Sequence, residues 1–224
     1  MRNVLLVLSV FIFVSSCKKG NDNNIIFGHE YFPYTEGHYV IYDVQDILHD
    51  DPVAVHDTSF YQIKEVIGEE DVDGEGETFR KMYRYYRAND TLNWSLKDVW
   101  VLKKTMKSVE LVEENKRVIK LAFSISYDQY WDCNALNDKD AKQCYYSKIY
   151  EPIKVGQLDY DSSVVVEHQN FESYIEQLKE FEVYAPHVGM IQLYRKDITI
   201  NNGDTLDVDR GTELYYTAVE FGQE

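Results

Sequence analysis

Residues 78–87 of the chain read TFRKMYRYYR. The residue types of this stretch alternate, with Phe79, Tyr83 and Tyr85 on one face of an extended chain and Arg84 on the other. A period of two residues is the pattern of a β-strand, because successive side chains of a strand point to opposite faces. Aromatic residues also favour the pleated, half-buried surface of a sheet. The stretch therefore predicts a strand, and the rest of the chain repeats the pattern.

Turn residues separate this strand from its predicted neighbours. Asp-Gly at 73–74 stands between the runs 59–67 and 78–87, which is a strong hairpin signal. Asn-Gly-Asp at 202–204 gives a similar signal near the end of the chain. Few helical stretches lie between the runs, which indicates an antiparallel meander. Strand-like runs are predicted at 37–44, 59–67, 78–87, 94–102, 106–112, 117–125, 145–150, 164–167, 181–184, 190–200 and 214–221.

One segment has helical spacing. Phe171, Tyr174, Ile175 and Leu178 match positions i, i+3, i+4 and i+7 of an amphipathic helix. The same residues could instead continue into the strand predicted at 181–184. We therefore expect a mainly β chain: a single antiparallel, curved sheet or open half-barrel with at most one or two short helices.

Composition limits the partners of the chain. It has 224 residues with a formal net charge of −16. Nucleic acid is excluded as a partner by this balance, because binding it relies on clustered Lys and Arg. The acidic charge also argues against a chain that lies flat on an anionic membrane face. We interpret the charge as a solubility feature.

The chain opens with an export pattern. Arg2 precedes an apolar run over residues 4–14, the layout of a secretory signal peptide. The run is too short for a spanning helix, which needs about 20 apolar residues. Val-Ser-Ser-Cys at 14–17 resembles a bacterial lipobox. In that family a diacylglyceryl group is attached to the cysteine thiol, and the chain is cut just before the cysteine. The alternative is an ordinary signal peptide in which Cys17 is incidental.

The lipobox resemblance implies three segments: a removed signal peptide at 1–16, lipidated Cys17 with a polar tether at 17–24, and one β-rich domain at 25–224. Several acyl chains, such as palmitate, anchor a protein stably, since each buried methylene contributes about 0.8 kcal/mol. Lys18 stands where lipoproteins kept in the inner membrane often carry Asp, which implies the outer membrane. The expected location is thus the cell envelope, with the membrane held through the acyl anchor on Cys17.

Two cysteines remain once Cys17 is assigned to lipid. Cys133 and Cys144 enclose the polar loop 134–143. In an oxidising envelope compartment two such cysteines usually pair, so we predict a disulfide. A loop of this size would stabilise the fold by roughly 2–3 kcal/mol. The alternative is a metal site made by two thiols, which the sequence disfavours because no histidine lies near either cysteine.

The sequence carries no pattern of a reaction. It has neither a G-x-S-x-G nucleophile elbow nor a P-loop, and no H-E-x-x-H pair that would hold zinc on a helix. His-Asp-Asp at 49–51 and His-Asp at 56–57 could contribute to a metal site, but a solvated loop is the simpler interpretation. We expect no enzyme activity, no cofactor and no metal.

An acidic segment at 71–77 alternates carboxylates with glycines. Calcium prefers six to eight oxygen ligands from a flexible loop, and such a segment supplies several. The segment lacks the twelve-residue spacing of an EF-hand, so we interpret it as a solvated hairpin turn. The group formed by Asp204, Asp207 and Asp209 is interpreted in the same way.

Short motifs are spread along the mature chain. They lie at Tyr31-Phe32-Pro33-Tyr34 with Gly37, Tyr39 and Tyr42, at 110–112 with 119–121, at Trp131-Asp132-Cys133-Asn134, at 184–191, at Gly211-Thr212 and at 220–222. Together they resemble an uncharacterised family of bacterial envelope lipoproteins, which commonly has glycine where Cys133 stands. The resemblance implies a single β domain and no known activity. More remotely, such a sheet looks like the open half-barrels of LolA/LolB-type lipoprotein carriers.

Aromatic side chains are the remaining candidates for binding. Tyr83, Tyr85, Trp94 and Trp100 could line a concave pocket for an acyl chain or stack on sugars. Their alternative role is core packing and cross-strand pairing. We predict a non-catalytic, lipid-anchored binding or carrier protein for an apolar or lipid ligand. The alternative is an interaction subunit that docks on another envelope protein or on a glycan.

Replacement of Cys17 tests the anchor. We expect Cys17→Ala to release the protein from the membrane fraction or to stall its processing, because the thiol that would carry the lipid is missing. Fractionation and intact mass measurement of the two proteins check this. Normal processing with full membrane retention of the variant would contradict lipidation at Cys17.

Overall fold

The structure is a computed structural model that describes residues 27–53 and 55–224. The predicted signal peptide, Cys17 and the tether at 17–24 lie outside the described residues. Within those ranges, no helix is long and apolar enough to cross a membrane. The described helical pieces are two 3₁₀ turns of three residues each, His29–Tyr31 and Asp51–Val53.

Twelve β-strands make up most of the described chain. They are β1 His38–Asp50, β2 Val55–Val72, β3 Thr78–Arg87, β4 Ser95–Lys104, β5 Ser108–Glu113, β6 Lys116–Ala122, β7 Tyr130–Asp132, β8 Gln143–Val155, β9 Leu158–Glu172, β10 Glu176–Ala185, β11 Gly189–Asn201 and β12 Asp204–Gln223. The predicted strand at 78–87 is confirmed at both ends.

The strands form one antiparallel sheet in the order β6-β5-β4-β3-β2-β1-β12-β11-β10-β9-β8-β7. Each strand pairs with the next in sequence, except that β6 and β7 are the two edges and β1 pairs with β12. The chain therefore makes two six-stranded meanders that join along the first and last strands. The predicted single antiparallel, curved sheet is confirmed.

The sheet curves until its two edges almost meet. The backbone N–H of Ile119 in β6 donates to the carbonyl of Cys133, which follows β7, at 3.0 Å. The indole N–H of Trp131 donates to the carbonyl of Ile119 at 3.1 Å, and the amide of Asn137 donates to the carbonyl of Arg117 at 2.8 Å. These bonds satisfy part of an otherwise unpaired edge, which is the usual liability of an open sheet. Curvature thus goes further than in an open half-barrel.

The helix that the spacing of Phe171, Tyr174, Ile175 and Leu178 predicts is not formed. These residues span the end of β9, a tight turn and the start of β10. The Ser173 N–H donates to the Glu176 carbonyl at 2.8 Å and closes the turn. Pairing with neighbouring strands on both sides outweighs the local helical pattern, as tertiary context often does. The sequence pattern also missed β7, which is only three residues long.

The segment 27–37 closes one end of the curved sheet. The ammonium of Lys104 donates to the carbonyls of His29 and Phe32 at 2.7 and 2.6 Å. The hydroxyl of Tyr31 lies 2.6 Å from the hydroxyl of Ser162, and the ring of Tyr31 is buried. These contacts reach β4 and β9, which belong to the two different six-stranded halves of the sheet. The chain thus enters the domain at the end where β1 starts and β12 finishes.

Two apolar clusters hold the sheet. The first fills the interior near the closed end, with members from the N-terminal segment, β2–β6 and β8–β10 such as Phe32, Leu102, Leu121 and Val166. The second joins β1, β2 and β12 to β9–β11 and to the tip of the β8–β9 hairpin, which contributes Val155 and Tyr160. The long β8–β9 hairpin therefore packs back on the sheet, a feature that matters for the groove described below.

Gly211 in β12 lies between β1 and β11, opposite His49 and Ile198. Its φ is +130°, a conformation that a residue with a side chain rarely adopts. A Cβ atom built on it would lie 2.1 Å from the carbonyl oxygen of Asp197 and 2.6 Å from the Cα of Ile198. Both atoms belong to the backbone of β11, so no side-chain rotation relieves the overlap. Glycine is therefore required at this position for packing as well as for φ.

We expect Gly211→Ala to lower the free energy of unfolding by about 3 kcal/mol, because the methyl group must displace the backbone of β11. Gly74→Ala is the matched control, since a Cβ at Gly74 meets no atom within 4 Å. Urea denaturation of both variants measures the difference. Equal stability of the two variants would contradict the close approach at Gly211.

Candidate functional site

The four aromatic residues predicted to form a site are divided between the two faces of the sheet. Tyr83 and Tyr85 lie on the outer face with ring centroids 6.5 Å apart, and the hydroxyl of Tyr83 donates to Glu69. Trp100 faces the interior, where it lines the central cavity. Trp94 lies in the turn before β4, and its ring carries the guanidinium of Arg87 at 4.2 Å. The four side chains do not line one pocket.

The concave interior holds a small cavity of about 90 Å³. Drug-sized ligands occupy pockets of about 300–1,000 Å³, so this space is too small for an acyl chain. Its lining mixes apolar side chains such as Met82, Trp100 and Leu111 with six charged ones, namely Glu65, Arg84, Glu113, Lys120, Glu182 and Arg195. The interior is therefore a packed, charged core.

One buried ion pair crosses this interior. The ammonium of Lys120 in β6 donates to Glu182 Oε1 in β10 at 2.5 Å and lies 3.2 Å from Glu113 Oε1. The second oxygen of Glu182 accepts from the Tyr184 hydroxyl and lies 3.4 Å from the Nε2 of His168. Both carboxylate oxygens are therefore engaged. Complete pairing is what makes a fully buried charge tolerable.

The pKa values follow from this pairing. Burial works to raise the pKa of Glu182, but its interactions with Lys120 and then with His168 outweigh burial and hold the pKa well below the usual range. At Glu180 burial is likewise outweighed, by Arg195 and then by His168 and Lys142, and its pKa falls to about 2. Burial would lower the pKa of Lys120, whereas Glu113 and Glu182 raise it above its ordinary value. Both members of the central pair stay ionised across the physiological range.

A second buried cation is held in the other half of the interior. Arg84 donates to Glu65 Oε1 at 3.0 Å, to Asp98 Oδ2 at 2.9 Å and to the Tyr216 hydroxyl at 3.2 Å. Its guanidinium also lies 3.7 Å from the centre of the Trp100 ring, which is a close cation–π contact. The arginine links β2, β3, β4 and β12, so it has a structural role.

The predicted disulfide partners lie side by side. The Cα atoms of Cys133 and Cys144 are 6.0 Å apart and their sulfurs are bonded in the structure. This separation is in the range that a disulfide spans. The Nδ1 of His168 lies 3.8 and 3.6 Å from the two sulfurs. No histidine is close to the cysteines in the sequence, but β9 brings His168 beside them in the fold. The oxidation state in solution stays a prediction.

The acidic segment at 71–77 forms the β2–β3 turn. Asp73 Oδ1 accepts the backbone N–H groups of Glu75 and Glu77 at 2.9 Å each, and these bonds lower the pKa of Asp73. The carboxylate of Glu77 pairs with Lys103, and Asp71 lies 3.8 Å from Lys81. These carboxylates have separate partners on neighbouring strands.

The outer face of the sheet carries a row of directly opposed side chains that crosses five strands. Phe181 in β10 faces Tyr194 in β11, and Tyr194 faces Tyr215 in β12. The ring centroids are 5.4 and 4.8 Å apart along the row. Tyr215 then faces Gln45 in β1, which faces Phe60 in β2. Cross-strand aromatic pairs stabilise a sheet, and this row also forms part of its outer surface.

A groove of about 500 Å³ lies at the end of this row. Its floor is the outer face of β1, β2 and β12, and its wall is the tip of the β8–β9 hairpin, including Gly156 and Leu158. A Cβ on Gly156 would approach the Thr217 methyl to 3.0 Å, so the tip lies directly against β12. The apolar lining is Val44, Phe60, Leu158, Tyr215 and Val219, and the hydrogen-bonding side chains are Asp43, Gln45, Gln157 and Thr217.

Phe60 is the exposed element of the groove, with 68% of its surface accessible. The sequence pattern indicates no site here, because the groove joins residues from β1, β2, β12 and a distant hairpin. One signal was available: Tyr194 follows buried Leu193 and Tyr215 precedes buried Tyr216, the alternation of a strand with one buried face. The pairing register that aligns them with Phe60 is a tertiary property.

Comparison with known proteins gives only remote likeness. No family model and no curated protein matches the chain. A candidate lipoprotein of Parabacteroides distasonis superposes with a TM-score of 0.42 and 13% identity, over 86% of this chain and 98% of that one. A candidate exported protein of Bacteroides fragilis with a YmcC-like fold gives 0.42 and 10%, over 89% and 100%. Both likenesses are too remote to carry an argument about function.

Acidification tests the buried charges. The folded-state pKa values of Glu180 and Glu182 are lowered, so their contribution to stability is present above the unfolded value of about 4.3 and is lost as the pH falls towards 2. We expect the free energy of unfolding to drop between pH 5 and pH 2.5.

The substitution Glu182→Gln should lower the free energy of unfolding by about 3–5 kcal/mol at pH 7, because Lys120 is left buried without its closest partner. Glu75→Gln in the exposed turn is the control, and urea denaturation measures all three proteins. A Glu182→Gln variant as stable as the control would contradict this account.

Proposed function

We propose that this chain is a lipid-anchored, non-catalytic protein of the cell envelope that binds a glycan in the outer groove. The location rests on the lipobox pattern at 14–17. The observation that carries the binding proposal is the composition of the groove, in which the exposed ring of Phe60 stands among amide, carboxylate and hydroxyl side chains.

The chemistry of a sugar ring fits this lining. A pyranose presents C–H groups on its faces, which pack against an aromatic ring, and hydroxyls around its edge, which need donors and acceptors. Phe60 and Tyr215 supply ring surface. Gln45 and Gln157 each offer both donors and an acceptor, and Asp43 offers acceptors. The volume of about 500 Å³ lies in the range of ligand sites and suits a short oligosaccharide.

An apolar or lipid ligand, the first hypothesis from sequence, is less well supported by the geometry. The interior cavity is too small, and six charged side chains line it. The outer groove is large enough, but it is open at the surface and its polar groups would lose water against an acyl chain without gaining partners. The alternative from sequence, docking on a glycan, agrees better with these contacts. Tyr215, rather than the predicted Tyr83 and Tyr85, takes the role of the stacking tyrosine.

The absence of a reaction is part of the proposal. The buried carboxylates that stand out electrostatically, Glu180 and Glu182, are bound by cations and held ionised away from the groove. The groove itself offers one carboxylate, Asp43, whose Oδ1 already accepts from the Gln62 amide at 2.6 Å. Binding without turnover is the function that this arrangement supports.

A binding screen with the full-length protein in detergent tests the proposal. The probes are an oligosaccharide array of bacterial surface glycans, isolated peptidoglycan and, as the apolar competitor, palmitate. We expect at least one glycan to bind and Phe60→Ala to weaken it about three- to tenfold, because the exposed ring can be removed without unfolding and its stacking contributes about 0.5–1.5 kcal/mol.

Leu206→Ala is the matched control, since Leu206 is 92% exposed and lies outside the groove. Glycan binding that is equal in Phe60→Ala and Leu206→Ala would show that the groove is not the site. Binding of palmitate alone, weakened by Phe60→Ala, would overturn the glycan proposal in favour of an apolar ligand.

A further inference from the structure

Two histidines face one another across the first hairpin. His49 near the end of β1 is directly opposite His56 near the start of β2. Their Nδ1 atoms are 3.3 Å apart, and their rings are inclined at 62° with centroids 5.6 Å apart. The side chain of His49 is 15% exposed and that of His56 is 49% exposed, so the space between the two nitrogens is open to solvent on one side.

Each ring has a carboxylate at its other nitrogen. Glu213 Oε1 lies 3.2 Å from the Nε2 of His49, and Asp51 Oδ1 lies 3.4 Å from the Nε2 of His56. Glu213 is itself fixed, because its Oε2 accepts from the Tyr215 hydroxyl at 2.8 Å and lies 3.5 Å from the Lys196 ammonium. The arrangement is symmetrical in its chemistry: carboxylate, imidazole, imidazole, carboxylate.

The carboxylates favour one pair of tautomers. An ionised carboxylate only accepts hydrogen bonds, so a hydrogen on the Nε2 of each ring serves both contacts. A neutral imidazole has a single N–H, and both Nδ1 atoms are then bare acceptors that point at one another at 3.3 Å. Two lone pairs in this position repel unless a cation lies between them. A cation held by both nitrogens removes the repulsion and uses both hydrogen bonds at Nε2.

The geometry points to a divalent transition metal, with zinc as the best match. We infer that His49 and His56 bind this ion through their Nδ1 atoms, with Glu213 and Asp51 orienting the rings. Zinc–nitrogen bonds measure 2.0–2.1 Å, so two nitrogen ligands at a tetrahedral angle lie about 3.3 Å apart. Imidazoles that bind metal almost always donate their second N–H to a carboxylate or a carbonyl, and this partner is present on both rings. Water completes the coordination on the exposed side.

The two ligands lie outside the groove and away from the buried cysteines, although Glu213 accepts from Tyr215, which lines the groove. The lining of the groove does not include His49 or His56. Cys133, Cys144 and His168 form a second group of possible ligands, with ligand atoms within 4.8 Å of one another, but their sulfurs are bonded to each other. The experiment therefore has to distinguish the two groups.

Calorimetric titration of zinc chloride into the full-length protein in detergent, without reductant, tests the inference. We expect one zinc ion per chain and at least a tenfold weaker affinity in His49→Gln and in His56→Gln. His187→Gln, at an exposed histidine of the β10–β11 turn, should leave the affinity unchanged. Glu213→Gln keeps both ligands and should weaken binding about 10–100-fold, the usual effect of losing an orienting partner.

A spectroscopic measurement identifies the ligands if a variant loses stability. Cobalt(II) bound in place of zinc should show the visible bands of a four-coordinate ion with nitrogen ligands, and no sulfur-to-metal charge-transfer band. A sulfur band would place the ion at Cys133 and Cys144 and overturn the inference. Zinc binding that persists in both His49→Gln and His56→Gln would place the ion elsewhere on the chain and overturn it too, as would the absence of zinc binding.

Discussion

The structure depends on the pairing of Lys120 with Glu182 inside the curved sheet. Lys120 lies on the edge strand β6 and Glu182 on β10, and these strands are far apart in the order of the sheet. The two charges meet only when the sheet curves, although Lys120 also has Glu113 on the adjacent strand β5. The pair therefore favours the curvature that brings β6 and β10 together over flatter arrangements of the same strands, in which Lys120 and Glu182 would not be in contact. Buried ion pairs contribute little net stability, but leaving one half alone is costly.

Much of the fold could be predicted from the sequence, because strands show an alternation of residue types with a period of two. The strand at 78–87 and the turns at 73–74 and 202–204 are where the pattern placed them. The pattern did not identify the buried face. In β3 the aromatic Tyr83 and Tyr85 lie outside, whereas Arg84 is buried, since Glu65, Asp98 and Tyr216 meet its hydrogen-bonding needs. A charged side chain can be buried when other strands supply its hydrogen-bond partners. Sequence alone does not show which strands supply them.

The candidate sites were beyond sequence reasoning for the same reason. Phe60, Gln45 and Tyr215 stand in one row because of the registers of β1 with β2 and with β12, and the partners Gln45 and Tyr215 are separated by most of the chain. His49 and His56 are closer in sequence, and each is followed by an aspartate. Their opposition across a hairpin, with Glu213 supplied by the last strand, depends on pairing that no local spacing reveals.

Closure of one end by the segment 27–37 has a consequence for how the protein stands on a membrane. With Cys17 anchored as proposed, the ten steps to Phe27 reach at most about 35 Å, which limits the height of the closed end above the lipid surface. From that end β1 rises about 3.4 Å per residue, so His49 lies roughly 37 Å further along the strand. The domain is thus held at a limited distance from the membrane, with β1 leading away from the point of attachment. With that anchor, the β1–β2 turn is the end of β1 that lies farther from the point of attachment.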